Sequence, residues 1–256
     1  MANPTERYFE LLLEGDRRGL EELFSGLPWI DDPLAPKVRE AADLDALVAA
    51  RQSWLHERKA EVSHRRTTRG SLRVVSEFDV RLSIGGGVVE LPVAIVGDLS
   101  PDDSRVTALR IYHSSWPLEG GHQVRPPLLP HDRTLHLPDI VAEYHRALSA
   151  GDIDAIVATF EPQGHFREPS GGEFVFSGLA LRDLMTSLLS TGGIGLEHCT
   201  TTDDGVACAL EFNAVRFGPE LLPPQAGIGV YERGASGRLR SARIYDDVNV
   251  EVLAAR

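Results

Sequence analysis

Each half of the chain opens on a short helical pattern. Tyr8, Leu11 and Leu12 fall on one face in the first half, and Ile140, Tyr144 and Leu148 do so in the second. Gly-Asp follows each time, at Gly15-Asp16 and Gly151-Asp152. Glycine suits the left-handed residue that closes a helix and aspartate the N-cap of the next, so the pattern predicts a helix–helix corner. A short extended segment then ends in an acid before proline, Asp32-Pro33 and Glu168-Pro169. Proline biases its predecessor towards extended geometry, which puts Asp32 and Glu168 at strand ends. A longer third helix is traced by Leu44, Leu47, Val48, Arg51, Trp54 and Leu55, and again by Leu181, Leu184, Met185, Leu188 and Leu189. Beyond it the pattern changes to strands: SLRVVSEFDVRLSI and VELPVAIVGDL, then GVACALEFNAVRF and AGIGVYERG. The last strands, TALRIYHSSW and RSARIYDDVN, echo each other most plainly.

The halves repeat one another at a constant spacing. Tyr8 recurs as Tyr144, Leu12 as Leu148, Asp16 as Asp152 and Phe24 as Phe160. The same spacing carries Asp32 onto Glu168 and Glu61 onto Glu197. By the RIY motif it is shorter by about three residues, lost among hairpins where length changes are tolerated. Solenoid units run to roughly 20–50 residues, so a repeat this long marks a duplicated domain. Each copy, about 120 residues, is long enough to bury its own core. Helices first and a run of antiparallel strands after read as α+β. The expected boundaries are 1–116 for the first domain, 117–138 for a linker and 139–256 for the second domain. The linker, PLEGGHQVRPPLLPHDRTLHLP, is proline-rich and aperiodic, hence semi-extended. Its His122, His131 and His136 lack the spacing of a metal site and are expected to face solvent.

Net charge changes the picture by exclusion. At −12 the chain lacks the clustered Lys and Arg that phosphate contacts need, so no nucleic-acid partner is expected. Its one basic run, HERKAEVSHRR, reads as a solvated helix end and strand face. The first residues do not read as a signal peptide and no segment is apolar enough to span a membrane, so a soluble cytoplasmic protein is expected. Cys199 and Cys208 are too few for a disulfide scaffold and are expected to be reduced core thiols, although they could face each other across a hairpin.

The segment EYHRALSAGDIDAIVATFEPQGHFREPSGGEF carries a helix tyrosine, Gly-Asp, a phenylalanine and an acid–proline pair. In this it resembles the opening of the ketosteroid isomerases, within the nuclear transport factor two-like superfamily that also holds the SnoaL-like polyketide cyclases. The resemblance occurs once per half and spans nearly the whole chain. It implies two tandem cone-shaped barrels, each a strongly curved, mostly antiparallel sheet packed on three helices around a pocket. It places Tyr8 and Tyr144 at the family's oxyanion-donor position, and Asp32 and Glu168 at its general base. The isomerases add a second, protonated acid as oxyanion donor. Alignment of the last strands puts Gly229, and about Val96 in the first half, at that place, which disfavours a steroid-type isomerase. Two fused domains, each with an acid–proline turn and a Glu early in the next strand, are similar to the polyether epoxide hydrolase–cyclases. That likeness implies that Asp32 pairs with Glu61 and Glu168 with Glu197. In SnoaL-like cyclases an aspartate just after the last strand is the acid–base group, which makes Asp246 a secondary candidate, with His113 as its counterpart.

Opening an epoxide with an internal hydroxyl needs a base for the hydroxyl proton and an acid for the epoxide oxygen. Two carboxyls in one apolar pocket divide those roles, because like charges close together do not both ionise cheaply. A tyrosine adds a hydrogen bond to the oxygen as it gains charge. This chemistry requires no metal and no organic cofactor. The expected sets are Asp32, Glu61 and Tyr8 in one pocket and Glu168, Glu197 and Tyr144 in the other, acting on a small apolar, polyketide-like or terpenoid substrate. Alternation points Phe166 and Glu168, and Ile30 and Asp32, inward, and turns His165 and His198 away. Each residue also has a structural reading: acids at turns or solvated strand starts, tyrosines in the core. Glu77 and Glu211 also repeat, and either line a pocket or face water. The alternative is a non-catalytic module in which one or both cones bind a ligand or pair, within the chain or as a homodimer. In a mixed case only one half is active. Nucleophile-elbow, phosphate-loop and zinc-helix motifs are absent from the sequence.

Overall fold

The computed structural model describes residues 3–101, 104–169 and 174–248. The chain divides into two compact units, Met1–His113 and Ser114–Arg256. The end of the expected second domain, from Asn249 on, lies outside the described residues.

In the first unit α1 (Pro4–Glu14) begins where the Asn3 side chain accepts from the Thr5 amide, and it ends at Gly15 with φ 68°. The Asp16 side chain then accepts from the Gly19 amide to start α2 (Arg17–Glu22). A two-residue strand, β1 (Ile30–Asp31), delivers Asp32, and α3 (Leu44–Glu57) follows. Four strands complete the unit: β2 (Glu61–Arg69), β3 (Arg73–Ile84), β4 (Gly87–Leu99) and β5 (Val106–Tyr112). Their order is β1-β5-β4-β3-β2, with β1 parallel to β5 and the other pairs antiparallel. The apolar face of α1, Tyr8, Phe9, Leu11 and Leu12, packs towards β3 and β4.

The second unit starts with α4 (Trp116–Glu119), then α5 (Asp139–Ala150), Gly151 at φ 71° and α6 (Ile153–Ala158), capped by Asp152. Next come β6 (Phe160–Arg167), β7 (Val175–Phe176) and α7 (Leu179–Leu188). The strands β8 (Ile194–Asp203), β9 (Ala207–Phe217), β10 (Glu220–Arg233) and β11 (Leu239–Asp246) finish the unit. The order is β7-β6-β11-β10-β9-β8, and β6 runs parallel to β11. Each unit is thus a mixed sheet packed with helices, its strands mostly antiparallel. Neither sheet closes into the expected barrel: β2 and β1 are opposite edges of one, and β7 and β8 of the other.

Ladder register refines the match between halves. Val96 lies opposite Arg110 and Val230 opposite Arg243, so the residue matching Gly229 is Ile95, not Val96. The expected linker also proves to be part of the second unit. Ala226 donates its amide to Arg125 O, Asn213 Nδ2 donates to Leu129 O at 3.1 Å, and Asp132 donates to His198 O. Arg125 and Leu129 each precede proline, so the segment offers carbonyls beside residues that have no N–H to satisfy. Both cysteines are free and buried. No helix of the described residues is long and apolar enough to cross a membrane.

Candidate functional site

A cavity of about 750 Å³ lies inside the second unit. Its wall is mostly apolar: Leu148 of α5, Phe166 of β6, Leu188 of α7, Ile194 and Leu196 of β8, Phe212 of β9 and Ile244 of β11. Five polar side chains reach it, Glu168, Asp246, Tyr144, Tyr231 and His122. Two glycines of β10 give these groups room. A Cβ on Gly227 would stand 2.6 Å from Asp246 Cβ and 2.7 Å from the Phe212 ring, and one on Gly229 would stand 2.4 Å from the Tyr231 hydroxyl. Glycine within a strand marks such a close approach. The first unit carries Val93 and Ile95 at the matching places, both buried.

The two carboxyls meet through the parallel pairing of β6 and β11. Ala242 lies opposite Phe166 and Arg243 opposite Arg167, so Glu168 and Asp246 emerge at the same end of neighbouring strands. Strand parity puts Glu168 on the face of Phe166, and Asp246 on that of Ile244. Burial against the apolar wall pushes the Asp246 carboxyl up to about 6; a hydrogen bond from the Val248 amide opposes this, the Asp247 charge adds to it and His122 opposes it. Burial raises the Tyr144 phenol above its ordinary range. Tyr231 is raised by burial first and then by the neighbouring Tyr144. Both phenols therefore stay protonated and act as donors.

His122 departs from the solvent exposure expected of it. It donates from Nδ1 to Asp247 Oδ1 at 2.7 Å and stacks on Trp116 with ring centroids 4.9 Å apart. Asp247, buried, also accepts from Ser114 Oγ, from the Ser115 amide and hydroxyl, and from the Gln123 amide. One carboxylate thus pins residues 114–123 at the cavity wall.

The remaining expected residues are placed differently. Glu61 lies on the outside of its sheet, its side chain 72% exposed and 3.1 Å from Arg81. Glu197 is also turned out, 3.6 Å from His131, because Leu196 takes the cavity side of β8. Neither pairs with its acid–proline partner, and the carboxyl that shares a cavity with Glu168 is Asp246. In the first unit Tyr8 donates to Asp32 Oδ2 at 2.9 Å, and Arg51 Nε stands 3.0 Å from the same oxygen without the alignment of a hydrogen bond. All three side chains are buried, so this acid is held in an ion pair. Glu77 and Glu211 are buried rather than solvated, and Thr200 Oγ1 donates to Glu211 Oε2 at 2.8 Å. His198 faces away from the cavity, as expected, and packs on His145 with ring centroids 5.1 Å apart. Sequence reasoning missed Tyr231, His122 and the pairing role of Arg51. Only Tyr231 left a signal, the Gly227-Ile228-Gly229 run inside a strand.

Among the described residues no group of three or more His, Cys, Asp or Glu side chains is placed to hold a metal ion. No family model and no curated protein matches the chain. Solved structures do. SalBIII, an epoxide hydrolase/cyclase-like enzyme in pyran ring formation in polyether salinomycin, is 25% identical, with 42% of this chain and 87% of that one covered and a TM-score of 0.36. A protein named as a polyketide cyclase from Sinorhizobium meliloti is 23% identical over 42% of this chain and 94% of its own, with a TM-score of 0.36. A protein with a ketosteroid isomerase-like fold from Catenulispora acidiphila, in complex with trimethylamine, is 13% identical over 44% and 88%, with a TM-score of 0.37. Solved structures similar to this chain thus include epoxide hydrolase/cyclase-like, polyketide cyclase and ketosteroid isomerase-like proteins, each covering less than half of this chain.

Proposed function

We propose that the second unit is an acid–base enzyme for a small apolar, polyketide-like molecule, and that its sharpest reaction is the opening of an epoxide. The observation that carries this reading is the convergence of Glu168 and Asp246 on one apolar cavity, with Asp246 pushed up to about 6. Glu168 takes the proton of an internal hydroxyl, whose oxygen attacks an epoxide carbon as that C–O bond breaks. Asp246 gives its proton to the released oxygen. The product is an isomer of the substrate, and a proton passes from Glu168 back to Asp246 through solvent. With water in place of the internal hydroxyl, the same steps give a diol.

The first unit is proposed to be structural, because Arg51 and Tyr8 already occupy the Asp32 carboxyl. The test is turnover of a panel of epoxy alcohols. Glu168→Gln and Asp246→Asn are each expected to lower kcat by about 10²–10⁴-fold, the usual contribution of a positioned acid or base. Asp32→Asn and Glu61→Gln should leave it unchanged. Wild-type rates in both cavity variants would sink the proposal.

A further inference from the structure

The two phenols of the cavity are arranged as a pair. Tyr144 and Tyr231 are buried with ring centroids 5.4 Å apart and planes at 49°. His145 packs edge-on against both, at 5.5 and 5.0 Å. That ring is itself buried, so it braces the pair from behind. Among the described residues no hydrogen bond reaches either phenol oxygen, whereas Tyr8, the counterpart of Tyr144, is committed to Asp32. Both hydroxyls open to the cavity rather than lying sealed in the core, so a ligand oxygen between them could accept from both donors.

Strand β10 adds an independent observation. Tyr231 lies back along its own strand, its hydroxyl in the space where a Gly229 side chain would begin. The matching positions of the first unit, by ladder register, are Ile95 and Gly97. There the large residue and the glycine are exchanged. In the first unit the space beside Gly97 is taken by Val106 and Thr5, so the glycine there does not seat a tyrosine.

We infer that Tyr231 is a catalytic residue which, with Tyr144, holds the substrate oxygen on which negative charge develops. This rests on the acid–base reading of the same cavity and narrows the substrate to one presenting an epoxide, carbonyl or phenol oxygen at the paired hydroxyls. The probe is 4-nitrophenol, whose phenolate absorbs apart from its phenol, bound to the full chain carrying Glu168→Gln and Asp246→Asn so that no carboxylate of the cavity opposes it. The bound probe is expected to ionise at lower pH than the free one. Tyr231→Phe and Tyr144→Phe should each weaken phenolate binding about tenfold, the low end for a hydrogen bond to a charged group. Gly229→Ala, which drives the hydroxyl off its seat, should do the same, with near-wild-type circular dichroism as the check on folding. Binding of the neutral phenol, no binding, or phenolate affinity unchanged in Tyr231→Phe would overturn the inference. The acid–base reading fails separately, if Glu168→Gln and Asp246→Asn retain turnover while the phenolate still binds through both tyrosines.

Discussion

An ionised Asp246 costs the folded state, since its carboxyl is moved from an ordinary 3.8 to about 6 by burial. Between those values the folded chain holds a proton that the unfolded chain has lost, so stability falls as pH rises through this window. Above it the penalty is constant, and below it the penalty vanishes. Asp246→Asn should therefore stabilise the protein at pH 8 by about 1–2 kcal/mol, a discounted share of the shift because the cavity admits solvent, and have little effect at pH 4. Urea denaturation at the two pH values reads this out. The same sign governs catalysis: if Asp246 supplies the proton, kcat/KM on an epoxide falls as pH rises through about 6, and the asparagine variant loses that limb.

Helix α5 carries a second titration, of opposite direction. Burial first, and then His198, lower the His145 imidazole to about 3. The folded helix keeps it neutral while the unfolded chain takes a proton near 6.5, so its stabilising contribution is full above that pH and is lost on acidification towards 3. His145→Phe, which keeps a ring against Tyr144 and Tyr231, should flatten this acid limb in thermal melts from pH 7 to 4. A slope unchanged from wild type would assign the acid sensitivity to other groups. The segment 114–123 gives several of its hydrogen bonds to Asp247. Asp247→Ala is expected to cost about 3 kcal/mol, since several buried donors lose a charged acceptor. Hydrogen exchange at the Ser115 and Gln123 amides, both donors to that carboxylate, should quicken before the rest of the unit does.

For the whole molecule, the two units use one plan for different ends. The first closes its tyrosine and acid with a buried arginine, and the second leaves its counterparts at a cavity. Arg51→Ala strands the Asp32 charge and should destabilise the first unit by about 3–5 kcal/mol. Arg51→Met with Asp32→Asn should recover most of that loss, and neither variant should change turnover in the second unit. Denaturant unfolding followed beside activity separates the two effects.

Local chemistry settled much of this protein in advance. Gly15 and Gly151 at positive φ, the Asp16 and Asp152 caps and the acids at strand ends follow from short-range preferences that a sequence carries openly. The two-unit layout follows from the internal repeat, because similar patterns bury similar faces. Which acids share a cavity does not follow, since the parallel pairing of β6 with β11 joins residues far apart in the chain and strand parity turns Glu197 outward. Nor does the role of residues 114–123, several of whose hydrogen bonds go to one distant carboxylate. The sequence by itself determined the elements and their order, through local backbone energetics and periodic burial. Tertiary structure alone decided that Asp246, Tyr231 and His122 join Glu168 and Tyr144, because only non-local packing shows which side chains are left facing the same empty space.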